Sequence, residues 1–197
     1  TATITASSLN NGVNDAALER VSNVTRTSNV TVQGASLTKT VADPTRTIGQ
    51  LATYTLTVPL PANVNFYDAA ILDTLPGGLD PATVTVTSSS CTYPDTSSCT
   101  ITPTRLSDAP GTGGATLIAW GAGDVLSDPL VRTVRIVFTA QVRDTGSNVA
   151  GAPVLNSARV MWNIVNGDDP TSAGATWTRP GTAATASFIV VEPAVTP

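Results

Sequence analysis

Residues 51–58 read Leu-Ala-Thr-Tyr-Thr-Leu-Thr-Val, so that threonine alternates with apolar residues at a period of two. The same period runs through 82–87, 133–140 and 187–191. Successive side chains of a strand point to opposite faces, so the alternation describes strands with one buried and one wet face. Threonine fills 33 of the 197 positions and, with Val and Ile, supplies the β-branched side chains that suit a pleated surface. Clusters of Pro, Gly, Asp and Ser punctuate these segments at 42–44, 75–78, 109–114, 127–129 and 166–170. The one stretch with helical character, 14–21, is short and reads better as strand. Many short strands with turn signals and no helices between them predict an all-β fold, an antiparallel Ig-like/Greek-key β-sandwich.

Composition narrows the function. Hydrophobic residues make up 41% and charged residues 12%, which excludes a disordered chain. A net charge of −4 with few cations argues against nucleic acid as a partner, and no apolar run is long enough for membrane insertion. No signal peptide is visible, so any export signal is expected upstream. The chain has no histidine, which removes Ser-His-Asp and Cys-His nucleophilic sites and His-ligated zinc together. Turnover enzymes lose most of their usual machinery, and no cofactor is expected. Gly111-Thr112-Gly113-Gly114 lacks the Gly-Lys-Ser/Thr ending of a phosphate loop. Asn23-Val24-Thr25 and Asn29-Val30-Thr31 fit the glycosylation sequon, which matters only in a host that uses it. The aspartates of Gly121-Ala122-Gly123-Asp124 and Asn166-Gly167-Asp168-Asp169 are too scattered for a recognised calcium loop, so no metal site is expected.

Cys91 and Cys99 flank a seven-residue segment containing Pro94-Asp95. Two close cysteines around a turn fit a loop-closing disulfide at a hairpin tip, with free thiols as the alternative; two thiols alone do not complete a zinc site. A disulfide implies a location outside the cytosol.

Nine of the ten cationic residues are arginine, and the sole lysine is Lys39. In Leu37-Thr38-Lys39-Thr40-Val41 it shares the apolar strand face with Leu37 and Val41. A buried ammonium must be paired or become neutral, and a neutral lysine is a nucleophile whereas arginine is not. Two further polar residues fall in an apolar phase: Asp73 with Ala69, Ile71 and Leu75, and Asn156 with Val154, Ala158 and Val160. Two readings stay open. The three are satisfied polar residues near strand ends, or they form a Lys–Asp–Asn set that makes an intramolecular isopeptide bond.

Residues 36–163 resemble the conserved-repeat domain of bacterial surface proteins and its relative, the fimbrial isopeptide-forming domain. The landmarks in order are 37–41, Ile48-Gly49, the strand 52–58, and Ile71-Leu72-Asp73-Thr74-Leu75-Pro76-Gly77-Gly78-Leu79. Trp120-Gly121, the strand 134–142 and Leu155-Asn156-Ser157-Ala158-Arg159-Val160 follow. The resemblance implies that Lys39 joins Asn156 and that Asp73 assists as the proton-shuttling acid. Asp68 is the competing acid; on the opposite strand phase from Asp73, it is expected to be exposed. Trp120, Tyr54 and Phe138 are either a water-excluding wall around this set or plain core. The function implied is a structural module of an extracellular bacterial surface stalk, pilus or adhesin. The expected bond joins the first and last strands of the sandwich.

Residues 28–35 match 187–194, so residues 1–35 read as terminal strands of a preceding repeat or an inter-subunit docking segment, and 36–197 as the full domain. The partners expected are neighbouring repeats or identical subunits, assembled head to tail by strand addition. The rival reading is a ligand-binding adhesin module for a glycan or host protein, using the two aspartate loops and the tip around Tyr93.

Overall fold

The computed structural model describes residues 2–7, 21–26 and 34–191, and the chain divides into two units, Thr1–Val32 and Gln33–Pro197. In the first unit, β1 (Ala2–Ser7) and β2 (Val21–Arg26) pair antiparallel, with Ala2 opposite Arg26 and Ser7 opposite Val21. The strand expected over 14–21 lies outside the described residues apart from Val21, as do both 28–33 and 192–194 of the internal match.

The second unit opens with β3 (Thr38–Val41), β4 (Thr45–Arg46), β5 (Leu51–Leu60), β6 (Phe66–Leu75) and β7 (Leu79–Thr92). Two short strands, β8 (Thr104–Arg105) and β9 (Ala109–Pro110), and a single 3-10 turn at Thr112–Gly114 lead into β10 (Thr116–Val125). The chain continues through β11 (Arg132–Val142), β12 (Pro153–Asn163), β13 (Arg179–Pro180) and β14 (Ala184–Val190). One sheet has the order β3-β5-β11-β7; the other runs β4-β14-β12-β6-β10-β8, with β9 on β10 and β13 on β12. The chain changes sheet at β3/β4, β4/β5, β5/β6, β6/β7, β7/β8, β10/β11 and β11/β12. This gives the Greek-key habit of an Ig-like sandwich. No helix among the described residues is long and apolar enough to cross a membrane.

The threonine alternation explains the layering. On β5, Ala52, Tyr54, Leu56 and Val58 are buried, and the register places Tyr54 opposite Phe138 and Leu56 opposite Ile136. These face Phe66, Ile71, Ile118, Trp120, Val160 and Phe188 from the other sheet in one continuous core. Each large apolar side chain so enclosed contributes about 1.5–3 kcal/mol relative to exposure. Gly78, in the turn after β6, has its carbonyl held by Asn148 Nδ2 at 2.7 Å. A Cβ at Gly78 would collide with that amide, so the turn needs glycine there.

Three details depart from the sequence expectation. The sheets are not wholly antiparallel, because β4 pairs with β14 in parallel. Val86 is exposed although Val84 is buried; both lie on β7, an edge strand of its sheet. Asn156 is also not on the last strand, since β14 follows β12 and lies beside it.

Candidate functional site

Lys39 lies on β3 at the edge of the four-stranded sheet, opposite Leu56, with its side chain fully enclosed. Its amine meets Asp73 Oδ2, which comes from near the C-terminal end of β6 in the facing sheet. Across the strands flanking β6, Asp73 stands opposite Ala158 on β12 and Ile118 on β10. Asn156 lies two residues along β12 from Ala158, on the same inward face as Asp73, and is 0% exposed. Residues displaced by two across adjacent strands are diagonal neighbours whose side chains can meet. The structure thus brings Lys39, Asp73 and Asn156 into one buried region.

Aromatic rings form its walls. The Lys39 amine sits 5.0 Å from the Tyr54 ring centroid and 5.6 Å from that of Phe138. Tyr54 stacks on Phe138 at 5.3 Å, and Trp120 leans on Phe138 at 5.0 Å. Tyr54, Phe138 and Trp120 are each at most 1% exposed, so water is kept away from the amine.

That enclosure sets the protonation. Desolvation lowers the Lys39 pKa, and the charge and hydrogen bond of Asp73 oppose it less strongly. Desolvation likewise raises the Asp73 carboxyl, against the opposing influence of Lys39 and Asn156. Burial and then the nearby Asp73 charge push the Tyr54 hydroxyl upward, so it stays protonated. Both shifts favour a neutral amine beside a protonated acid over a separated pair of charges.

The Asn156 side chain approaches Asp73 and Tyr54 closely enough to bias their ionisation. Nevertheless, neither Asn156 Nδ2 nor Oδ1 makes a hydrogen bond among the described residues, and Asp73 Oδ1 and Tyr54 Oη are unpartnered too. A buried polar group left unpaired costs about 1–3 kcal/mol, so this concentration of unmet donors and acceptors calls for an explanation.

Asp68 corrects the sequence expectation. It is 1% exposed, not solvent-facing, because irregularities on both flanking strands break the two-residue phase of β6. Its own φ of +52° adds to that break. It lies away from the lysine: Asn163 Nδ2 donates to its Oδ2 at 2.8 Å, and the Trp177 indole donates to its backbone carbonyl at 2.8 Å. The acid beside Lys39 is Asp73.

Cys91 and Cys99 form a disulfide with Cα atoms 5.1 Å apart, closing a turn in which the Tyr93 N–H donates to Ser97 O. The Tyr93 hydroxyl donates to Asp128 Oδ2 at 3.0 Å, which ties this tip to the loop before β11. Of the two aspartate loops, Asp124 and Asp169 come together with Asp68, a grouping hidden by their separation in sequence.

No protein-family model matches the chain, and no curated protein does. Solved structures similar to it include the pilus backbone RrgB from Streptococcus pneumoniae, at 17% identity and a TM-score of 0.47 over 65% of this chain. The major pilin SpaA from Corynebacterium diphtheriae is 15% identical, with a TM-score of 0.46 over 77% of this chain. AvmM, which catalyzes macrocyclization in alchivemycin A biosynthesis, is 10% identical with a TM-score of 0.45, covering 82% of this chain and 91% of its own. The chain spans 31% of the RrgB structure and 37% of the SpaA structure. Pilus backbone and major pilin subunits are thus among the solved structures similar to it, and these likenesses say nothing about the chemistry at Lys39.

Proposed function

We propose that the chain is a structural module of an extracellular bacterial surface fibre, stabilised by an autocatalytic isopeptide bond between Lys39 and Asn156. The observation that carries this reading is the sole lysine of the chain, fully buried against Asp73 in the same aromatic-walled region as an Asn156 amide that has no hydrogen bond among the described residues. The neutral Lys39 Nζ attacks Asn156 Cγ, and a protonated Asp73 polarises the carbonyl by hydrogen bonding to it. Asp73 then carries a proton from the attacking nitrogen to Nδ2, the Cγ–Nδ2 bond breaks, and ammonia leaves. Two NH2 groups become one N–H, so the buried region loses donors it cannot pair. The step happens once and does not turn over.

Lys39 and Asn156 are more than 100 residues apart, so the bond closes a loop worth roughly 5 kcal/mol by the chain-entropy relation used for disulfides. It cross-links the two sheets, and tension applied outside it bypasses the core between β3 and β12. A two-stranded sheet such as β1–β2 is marginal by itself, which favours its completing the sheet of a neighbouring repeat or identical subunit, head to tail. On this reading residues 1–35 are the docking segment and 36–197 the cross-linked domain.

Intact mass under reducing conditions tests the chemistry. A deficit of about 17 Da in the wild type, absent from Lys39→Ala, is expected for amine attack with loss of ammonia. An unmodified wild-type mass removes the bond and moves the ligand-binding reading forward. Size-exclusion chromatography tests assembly: the full chain should form larger species that a chain beginning at Ser36 does not.

A further inference from the structure

We propose that Asp68, Asp124 and Asp169 form a calcium site at the end of the larger sheet remote from Lys39. One carboxylate oxygen of each lies within 4.8 Å of the others. Oxygens so spaced can reach a single ion at the roughly 2.3–2.6 Å of calcium coordination. The donors are all carboxylate oxygens, which suits a hard cation and not zinc or copper.

The second observation comes from Asp68 itself. Its Oδ2 is taken by the Asn163 amide, but its Oδ1 is buried and has no hydrogen-bond partner among the described residues. A buried carboxylate oxygen left bare is costly, and a cation answers that cost directly. None of the three carboxylates forms an ion pair among the described residues, so their mutual repulsion lacks a protein counter-charge. Asn166 Nδ2 donates to Asp124 Oδ2 at 2.6 Å and the Asp68 N–H donates to Asp124 Oδ1 at 3.1 Å, which leaves lone pairs on both oxygens.

The site joins three separate pieces of chain: β6, the end of β10, and the long loop between β12 and β13. A Cβ at Gly167 would come 3.4 Å from Asp68 Oδ2, so that loop passes close over the buried carboxylate. Calcium here would fasten the loop to the sheet.

The test uses the full chain, stripped with a chelator and then titrated with calcium or terbium. Trp177, hydrogen-bonded to the Asp68 carbonyl, is placed to sensitise terbium emission. Saturable terbium luminescence is expected, with Tm raised by about 5–10 °C at a hundredfold excess of calcium over Kd. Asp169→Asn and Asp124→Asn alter exposed carboxylates, so both variants should still unfold cooperatively in chelator and lose both responses. An unresponsive wild type, or a calcium shift that survives both substitutions, would overturn the proposal.

Discussion

Strand β6 carries two buried aspartates five residues apart, and they live in opposite chemical worlds. Asp73 is surrounded by Ile118, Ala158 and the aromatic wall, with a single cationic partner and an unpaired amide beside it. Asp68 is surrounded by polar groups: an asparagine amide, an indole N–H and two further carboxylates. Burial is equal at the two positions, so burial alone does not assign a role. An apolar surround with one amine favours proton transfer and covalent chemistry. A set of like charges with amide donors favours a bound cation. Different neighbours separate the two: Asn163 and Trp177 hold Asp68, whereas Lys39 meets Asp73.

The largest way to break that contrast is to prevent the bond. Asn156→Ala should keep the unmodified mass and lose roughly 5 kcal/mol of unfolding free energy in denaturant, the loop-entropy share of the cross-link. The same variant sharpens the protonation argument. Burial raises Asp73 above its ordinary 3.8, so the folded state holds the extra proton and stability falls as pH climbs past 3.8. Burial lowers Lys39 below its ordinary 10.5, so the folded state holds fewer protons there and stability recovers as pH rises toward 10.5. The wild type, whose lysine no longer titrates once in an amide, should lack that alkaline recovery in pH-dependent denaturation curves.

Asp73→Asn preserves shape and removes the acid. Bond formation should slow by about 10²–10⁴-fold, read as the growth of the mass deficit with time after refolding. At the other end of β6, Asn163→Ala strips a donor from Asp68 and the acceptor of the Thr178 N–H. It should cost about 1–3 kcal/mol while leaving the mass deficit intact. Trp177→Phe, which removes only the indole hydrogen bond to the Asp68 carbonyl, should cost about 1 kcal/mol with the same intact deficit. A loss of cross-linking in either variant would mean that the two ends of β6 are not independent.

Where a strand keeps strict alternation, its phase is readable. Lys39, Asp73 and Asn156 each stood out as polar residues on an apolar face, and each side chain is buried. Legibility failed where alternation breaks. Asp68 escapes the simple phase rule because the β10 and β12 registers both shift near it. The cluster of three carboxylates is not legible in the sequence for another reason: Asp124 and Asp169 meet through loop closure, for which no local pattern exists. The turn glycines had a legible role only in part, since the collision that fixes Gly78 comes from Asn148, far along the chain.

Lys39 leaves a mark on the rest of the surface as well. Its side chain is wholly enclosed, and every other basic side chain in the sequence is a guanidinium. The folded chain therefore offers no side-chain amine to acylating reagents, reducing sugars or aldehydes, and no lysine for a lysine-directed protease to reach. With its one primary side-chain amine kept in the interior, this stretch of chain presents arginine alone as its surface cation.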